Sequence, residues 1–422
     1  MDRRLAAYLD QGIEKEVLKM KRILLVLVSM LMLALLLPAC AAPGPSEAKV
    51  LKLGMSMPLS GPVSSIGLEC KRAGEIAIEE INVAGGFVVG TERYEWELIA
   101  LDDKFNSADA LSVAHRLIDA EGVKYIITLA DATHLSIQTI SEDAGVLTIS
   151  YPGTKDVTTP DSPLSFRGTA TFEVTPVNYD WFTRNLPEIK TVMNVVTDDK
   201  AGEGVKAVST ACAEAFGLEV LGDVTYSRET TDFAPVVAKI IEADPDIILF
   251  PGTGAPLLIK QARELGYEGQ MAGANYISPY WAAIAGAEAV EGIFGAYSDS
   301  FTENAPPQIQ ELEAKFKDRY DVGLIMGGMN TYNVIYVLTE ALKKAGTVDT
   351  GKVADVMRTQ KFDSPFGGQV QFGGKGIYGH DCAMMVPIWI GQFEGGEIQF
   401  RELIPASEMT TAMEKIMPYY KS

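Results

Sequence analysis

The chain has 422 residues, 47% of them hydrophobic and 22% charged, the make-up of an ordinary globular protein with core enough for two or three domains. Its formal net charge of −20 argues against nucleic acid and against anionic membrane surfaces as partners. The plain consequence of that acidity is solubility.

The first 40 residues read as a targeting segment outside the fold. Lys19, Lys21 and Arg22 precede the apolar run Ile23–Leu37, which is short for a membrane span and right for the core of a signal peptide. Leu37-Pro38-Ala39-Cys40 closes it and looks like a bacterial lipobox. Small residues there let a peptidase reach the bond before Cys40, whose thiol would then carry the lipid anchor. Met20-Lys-Arg is also a natural start, so residues 1–19 are expected to be an upstream extension. Residues 41–49, small, polar and proline-rich, read as a flexible tether. Cys70, Cys212 and Cys382 form no CxxC and are expected to be buried thiols. His115, His134 and His380 lack metal-ligand spacing, so neither a metal nor a cofactor is expected.

The fold begins with a strand over 50–57, broken by Pro58, Gly61 and Pro62. A helix follows from about Gly67 to Ala84, with Leu68, Ala73, Ile76, Ala77, Ile81 and Ala84 on one apolar face, and Gly85-Gly86 stop it. Strands are expected at 95–101, 123–129 and 145–150, alternating with helices at 107–121 and from Ala130 to about Asp143. Residues 158–180, rich in Thr and Pro, read as loop. The pattern then restarts, with strands at 191–197, 219–225, 247–250 and 270–272 and helices at 203–216, 232–243 and 256–265. Helices at 307–320, 329–345 and 351–359 and glycine-rich strands around 367–373 and 384–393 complete the chain. Repeated strand–helix units predict α/β architecture, two doubly wound parallel sheets. The loops at strand carboxyl ends are where ligands bind in such sheets. These are 59–66, 102–106, 131–134 and 151–155 in the first half, and 198–202, 251–255 and 273–277 in the second.

No nucleophile elbow, H-E-x-x-H or Walker motif occurs. Gly85-Gly86…Gly90 follows a helix instead of opening one. Gly373-Gly374…Gly376 reads as preceding a strand. Neither would aim amides at a pyrophosphate. No catalytic residue is assigned.

Several segments, in order, carry a resemblance: Pro58-Leu-Ser-Gly-Pro62, Ala77-Ile-Glu-Glu-Ile-Asn-Val-Ala-Gly-Gly86, Asp102-Asp103, Thr231-Asp-Phe233, Gln261-Ala-Arg-Glu-Leu-Gly266, Glu291-Gly292-Ile293 and Phe366-Gly-Gly368. With them the chain, from Lys49 to Gly396, resembles the type I periplasmic solute-binding proteins of ABC importers, of the branched-chain amino acid, amide and urea class. The resemblance implies two lobes joined by a hinge, with lobe 1 at 50–168 plus 299–384 and lobe 2 at 169–298 plus 385–422. It implies a monomer, lipid-anchored on the outer face of a bacterial membrane or in the periplasm, that hands a small solute to permease and ATPase subunits. By analogy Thr133, Gly153 and Thr154 hold a ligand carboxylate, with Asp131 and Ala132 in the same loops and Thr253 in the facing 251–255 loop. Asn275 stands where amino-acid-binding members place an acidic residue for the ligand ammonium. Ile66 and Ala201 stand where those members have tyrosines, and Tyr276 offers an aromatic wall. The expected ligand is a small carboxylate without an α-amine, aromatic ones included, or an amide. The alternatives are a branched-chain or other amino acid, with Asp131 turned inward to take its ammonium, or a sensing role for a membrane signalling partner.

Overall fold

The computed structural model describes residues 18–25, 47–168, 171–252, 254–297, 307–324, 326–366 and 368–420. Residues 18–25 are helical and exposed. The apolar run from residue 26 onward, Cys40 and most of the tether lie outside the described residues, as does Thr253. Residues Ala48–Ser422 form one compact unit.

That unit contains two sheets. The first repeats open β1 (Lys49–Met57), α1 (Ser64–Val83), β2 (Phe87–Val89), β3 (Glu92–Asp102), α2 (Ser107–His115), β4 (Tyr125–Thr128), α3 (Asp131–Asp143), β5 (Leu147–Ser150) and β6 (Ser165–Arg167). A second series runs α4 (Thr171–Asn185), β7 (Thr191–Thr197), α5 (Lys200–Phe216), β8 (Glu219–Tyr226), α6 (Ala234–Ala243), β9 (Ile247–Phe250), α7 (Ala255–Glu264), β10 (Gln270–Gly273), α8 (Tyr280–Ala285), α9 (Ala287–Val290) and β11 (Phe294–Tyr297). The chain closes with α10 (Pro307–Tyr320), α11 (Met326–Ala345), α12 (Thr350–Thr359), β12 (Lys361–Asp363), β13 (Gln369–Gly373), α13 (Lys375–Tyr378), β14 (Ala383–Met385), β15 (Ile388–Glu394), β16 (Glu397–Ile404) and α14 (Ala406–Ile416).

The first sheet has nine strands in the order β12-β13-β14-β6-β5-β4-β1-β3-β2, and the second has seven in the order β16-β15-β11-β10-β9-β7-β8. The central neighbours are parallel, and antiparallel pairs lie toward the edges. β4, β5 and β9 are buried at every position, the run of apolar residues expected of strands covered on both faces. One face of the first sheet packs on α2 and α3 through Ala110, Val113, Leu117, Ile126 and Ile137. Its other face joins a core that continues into the second sheet through Phe166, Phe172, Val177 and Phe182.

The chain crosses between the sheets after Arg167, returns after Tyr297, and crosses again after Met385. The first crossing corrects the sequence reading. Residues 158–180 are not loop throughout: they include β6 and most of α4. Residues 172–179 of α4 are all buried, although Glu173, Thr175 and Asn178 are polar. A helix covered on all sides need show no apolar stripe. Pro176 removes one N–H from its second turn. Strands β2, β12 and β16 and helix α14 are further elements that alternation alone did not mark. Gly374 does not precede a strand; it opens the single turn α13, too short to cradle a phosphate.

Candidate ligand site at the sheet carboxyl ends

The loops after β1 and β3 are braced by two carboxylates. Asp102 accepts from the backbone N–H of Leu59 at 2.8 Å and of Lys104 at 3.0 Å, and from Ser60 Oγ at 2.6 Å. Burial would raise its carboxyl, but these donors outweigh it and hold Asp102 below the usual carboxylate range. Asp103 accepts from Ser56 Oγ at 3.0 Å and from the Phe105 N–H at 2.9 Å. Burial dominates there and pushes its carboxyl up. The pair holds Lys104 and Phe105 at φ of 50° and 60°, left-handed conformations that non-glycine residues seldom adopt. Phe105 then meets the second half of the molecule, since the Arg228 guanidinium lies 5.9 Å from its ring centroid.

The loop after β5 forms the centre of the site. The N–H groups of Gly153 and Thr154 donate at 2.9 and 3.0 Å, and Thr154 Oγ1 donates at 2.7 Å, all to the carboxylate of Asp131. Asp131 is the first residue of α3 and is only 3% exposed. The donors expected to receive a ligand carboxylate therefore hold a carboxylate of the chain itself. Thr133 does not join them; it is buried, and its Oγ1 donates to the Ala130 carbonyl at 3.2 Å. Ala132 is exposed, its carbonyl accepting from Ser107 Oγ.

A buried cation sets the shape of that loop. Arg167 donates to the carbonyls of Thr154 at 2.8 Å and Pro152 at 3.4 Å, and its Nε donates to Glu173 Oε1 at 2.7 Å. Tyr378 donates to the same Glu173 oxygen at 2.8 Å, and its ring lies 4.6 Å from the Arg167 guanidinium. Both charges are fully buried. Burial alone would lower the Arg167 value, but Glu173 beside it holds it above the ordinary range. A guanidinium that spreads its donors over a carboxylate and two backbone carbonyls in this way fixes backbone position.

α4 performs the matching task for the second sheet. Thr175 Oγ1 donates to the Ala274 carbonyl at 2.9 Å, and Asn178 Nδ2 donates to the carbonyls of Gly273 and Ala274. These hold the loop that carries Asn275 and Tyr276. Asn275 Oδ1 is buried without a hydrogen-bond partner. The Tyr276 ring covers Gly252, and its phenol is pushed up by burial and then by Tyr280 and by Glu69, a residue of α1. Asp199 accepts from the Gly202 N–H at 2.9 Å, capping α5, and pairs with Arg228.

The two halves meet at α5. A methyl group at Gly204 would lie 2.6 Å from Thr154 Cγ2 and 3.2 Å from the Gly153 carbonyl, so only glycine permits this approach. The Ala201 carbonyl also lies beside Gly153. Asp131, Gly153, Thr154 and Ala201 thus form one contact set. Ile66 packs instead on Gly327 of α11, and Asn275 and Tyr276 sit on the loop after β10. Sequence reasoning missed Arg167, Glu173, Thr175, Asn178 and Gly204. The signal available was an Arg and a Glu six residues apart in a stretch otherwise poor in charge.

This geometry agrees with what the chain is similar to. A family model, periplasmic binding protein, matches residues 50–397. The leucine-, isoleucine-, valine-, threonine- and alanine-binding protein of Pseudomonas aeruginosa is 28% identical over 327 residues, covering 76% of this chain and 85% of that protein. The Leu/Ile/Val-binding protein homolog 3 of Brucella melitensis is 27% identical over 312 residues, with 70% and 80% covered. The leucine-binding protein LivK of Thermotoga maritima shares the fold at a TM-score of 0.69 and 23% identity, covering 85% of this chain and 99% of its own. A solute-binding protein of Rhodopseudomonas palustris, solved with 3,4-dihydroxybenzoic acid, shares it at 0.70 and 22%, with 85% and 98% covered. The chain belongs to the periplasmic binding protein family, whose members capture small solutes outside the cytoplasm for ABC permeases. It is a family of binding proteins and not of enzymes.

Proposed function

We propose that this chain is a lipid-anchored solute receptor that takes up a small polar solute between two lobes and delivers it to an ABC permease and its ATPase. The lobes are residues 50–168 plus 299–384 and 169–298 plus 385–422, each built on one sheet. The observation that carries this reading is the apposition of loops from the two sheets, with Gly204 of α5 packed on Gly153 and Thr154. Ligand-dependent closure needs such a seam. Anchoring is assigned to Cys40, and the receptor works as a monomer. Relatives named for aliphatic amino acids, and a fold neighbour holding a dihydroxybenzoate, support a solute of that size.

The test is a thermal-shift screen of the protein freed of its first 40 residues. The panel holds amino acids, aliphatic and aromatic carboxylates, amines, amides and polyols. A ligand at about a hundred times its dissociation constant adds roughly 2.7 kcal/mol, a shift of several degrees. Folded protein that responds to no class contradicts the reading.

A further inference from the structure

We propose that Asp131 is a built-in occupant of the anion cradle, and that the solute is therefore a small cation, a protonated amine or guanidinium, without a carboxylate. This rests on the receptor reading above and narrows its ligand. The cradle has three donors, the N–H groups of Gly153 and Thr154 and the Thr154 hydroxyl, and all three bond to Asp131 at 2.7 to 3.0 Å. A solute carboxylate would find those donors taken and a second carboxylate in its place. Like charges in a buried site repel strongly.

What the site has left to offer is acceptors. A carboxylate has about four acceptor positions. Thr154 uses two on Oδ1 and Gly153 uses one on Oδ2, so Oδ2 keeps one for a solute N–H. On the loop after β10, apart from this contact set, Asn275 Oδ1 is also buried and unpartnered. Of the cations near these loops, Arg167 pairs with Glu173, Arg228 with Asp199, Lys104 with Asp109 and Lys200 with Glu203, while Lys155 lies over the Tyr420 ring. The strand ends themselves carry Asp102, Asp103, Asp198 and Asp199. A net charge of −20 draws cations toward the molecule. Asp131 would thus supply from the protein the anion that an amino acid supplies for itself.

The experiment titrates the mature protein with benzylamine, agmatine and spermidine, and with benzoate, valine and acetate. It is repeated on Asp131→Ala, and on Asp131→Asn, which keeps the side-chain shape. The wild type is expected to bind at least one amine, and every carboxylate at least a hundredfold more weakly. Both variants lose the amine by a hundredfold or more, and Asp131→Ala gains a carboxylate in the emptied cradle. Micromolar binding of benzoate or valine by the wild type overturns the proposal and leaves the receptor reading standing, with Asp131 as a displaceable plug. Unchanged amine binding in either folded variant also overturns it. Folded wild type that binds neither class, and nothing in the wider screen, overturns the receptor reading with it.

Discussion

At the scale of single residues, chemistry and burial make definite demands. Cys70, Cys212 and Cys382 are buried and free. Burial pushes the thiols of Cys70 and Cys382 up to about 12, and that of Cys212 well above its ordinary value. The thiolate is the nucleophile, so iodoacetamide should leave all three untouched in native protein and alkylate all three in denaturant. Intact mass reads the difference; labelling of native protein would contradict the burial. His134 is a second case. Burial, helped by the charge of Arg167, pushes its imidazole down to about 3. The unfolded chain takes up that proton near pH 6.5, and the folded chain refuses it until about pH 3. Stability should therefore fall as pH drops below 6.5, by up to about 1.4 kcal/mol per unit from this group. Urea midpoints at pH 7, 6 and 5 should show a shallower fall in His134→Asn; an identical slope would remove His134 from the account. Asp131 shows what reading residues alone leaves open. Its position at the start of a helix in a ligand loop was visible. The direction of its side chain depends on the Gly153–Thr154 loop, which is close only in the folded chain.

At the scale of elements, β6 and α4 decide the site. Arg167 and Glu173, at the two ends of this crossing, fix the loop after β5, while Thr175 and Asn178 fix the loop after β10. One segment thus positions ligand loops from both sheets. It was also the segment least legible in the sequence. The strand–helix alternation elsewhere came through because β4, β5 and β9 are short apolar runs between turn residues, and because α1 and α5 each show a clear apolar face. α4 shows none, because its polar residues are buried as hydrogen-bond donors and ion-pair partners. Removing one member of a buried pair strands the other, at a cost of about 3–5 kcal/mol. Glu173→Gln should therefore lower the melting temperature by several degrees and weaken solute binding, since Arg167 would no longer be held against Thr154 and Pro152. Calorimetry showing a melting temperature within a degree of wild type would mean that the pair does not hold the crossing.

At the scale of the whole molecule, two sheets approach each other through glycine. The seam is tight, because Gly204 lies against Thr154 and Gly153. Overpacking such a contact costs about 1–3 kcal/mol. Gly204→Val should therefore reduce solute affinity by roughly ten- to a hundredfold. Equal affinity by titration calorimetry would show that the seam does not close around the solute. The most direct measurement is a crystal structure of the mature protein with a solute from the screen. The solute is expected between the loops after β5 and β10, touching both sheets, with Asp131 still hydrogen-bonded to Gly153 and Thr154. A solute held by one sheet alone, or lying away from these loops, would contradict it.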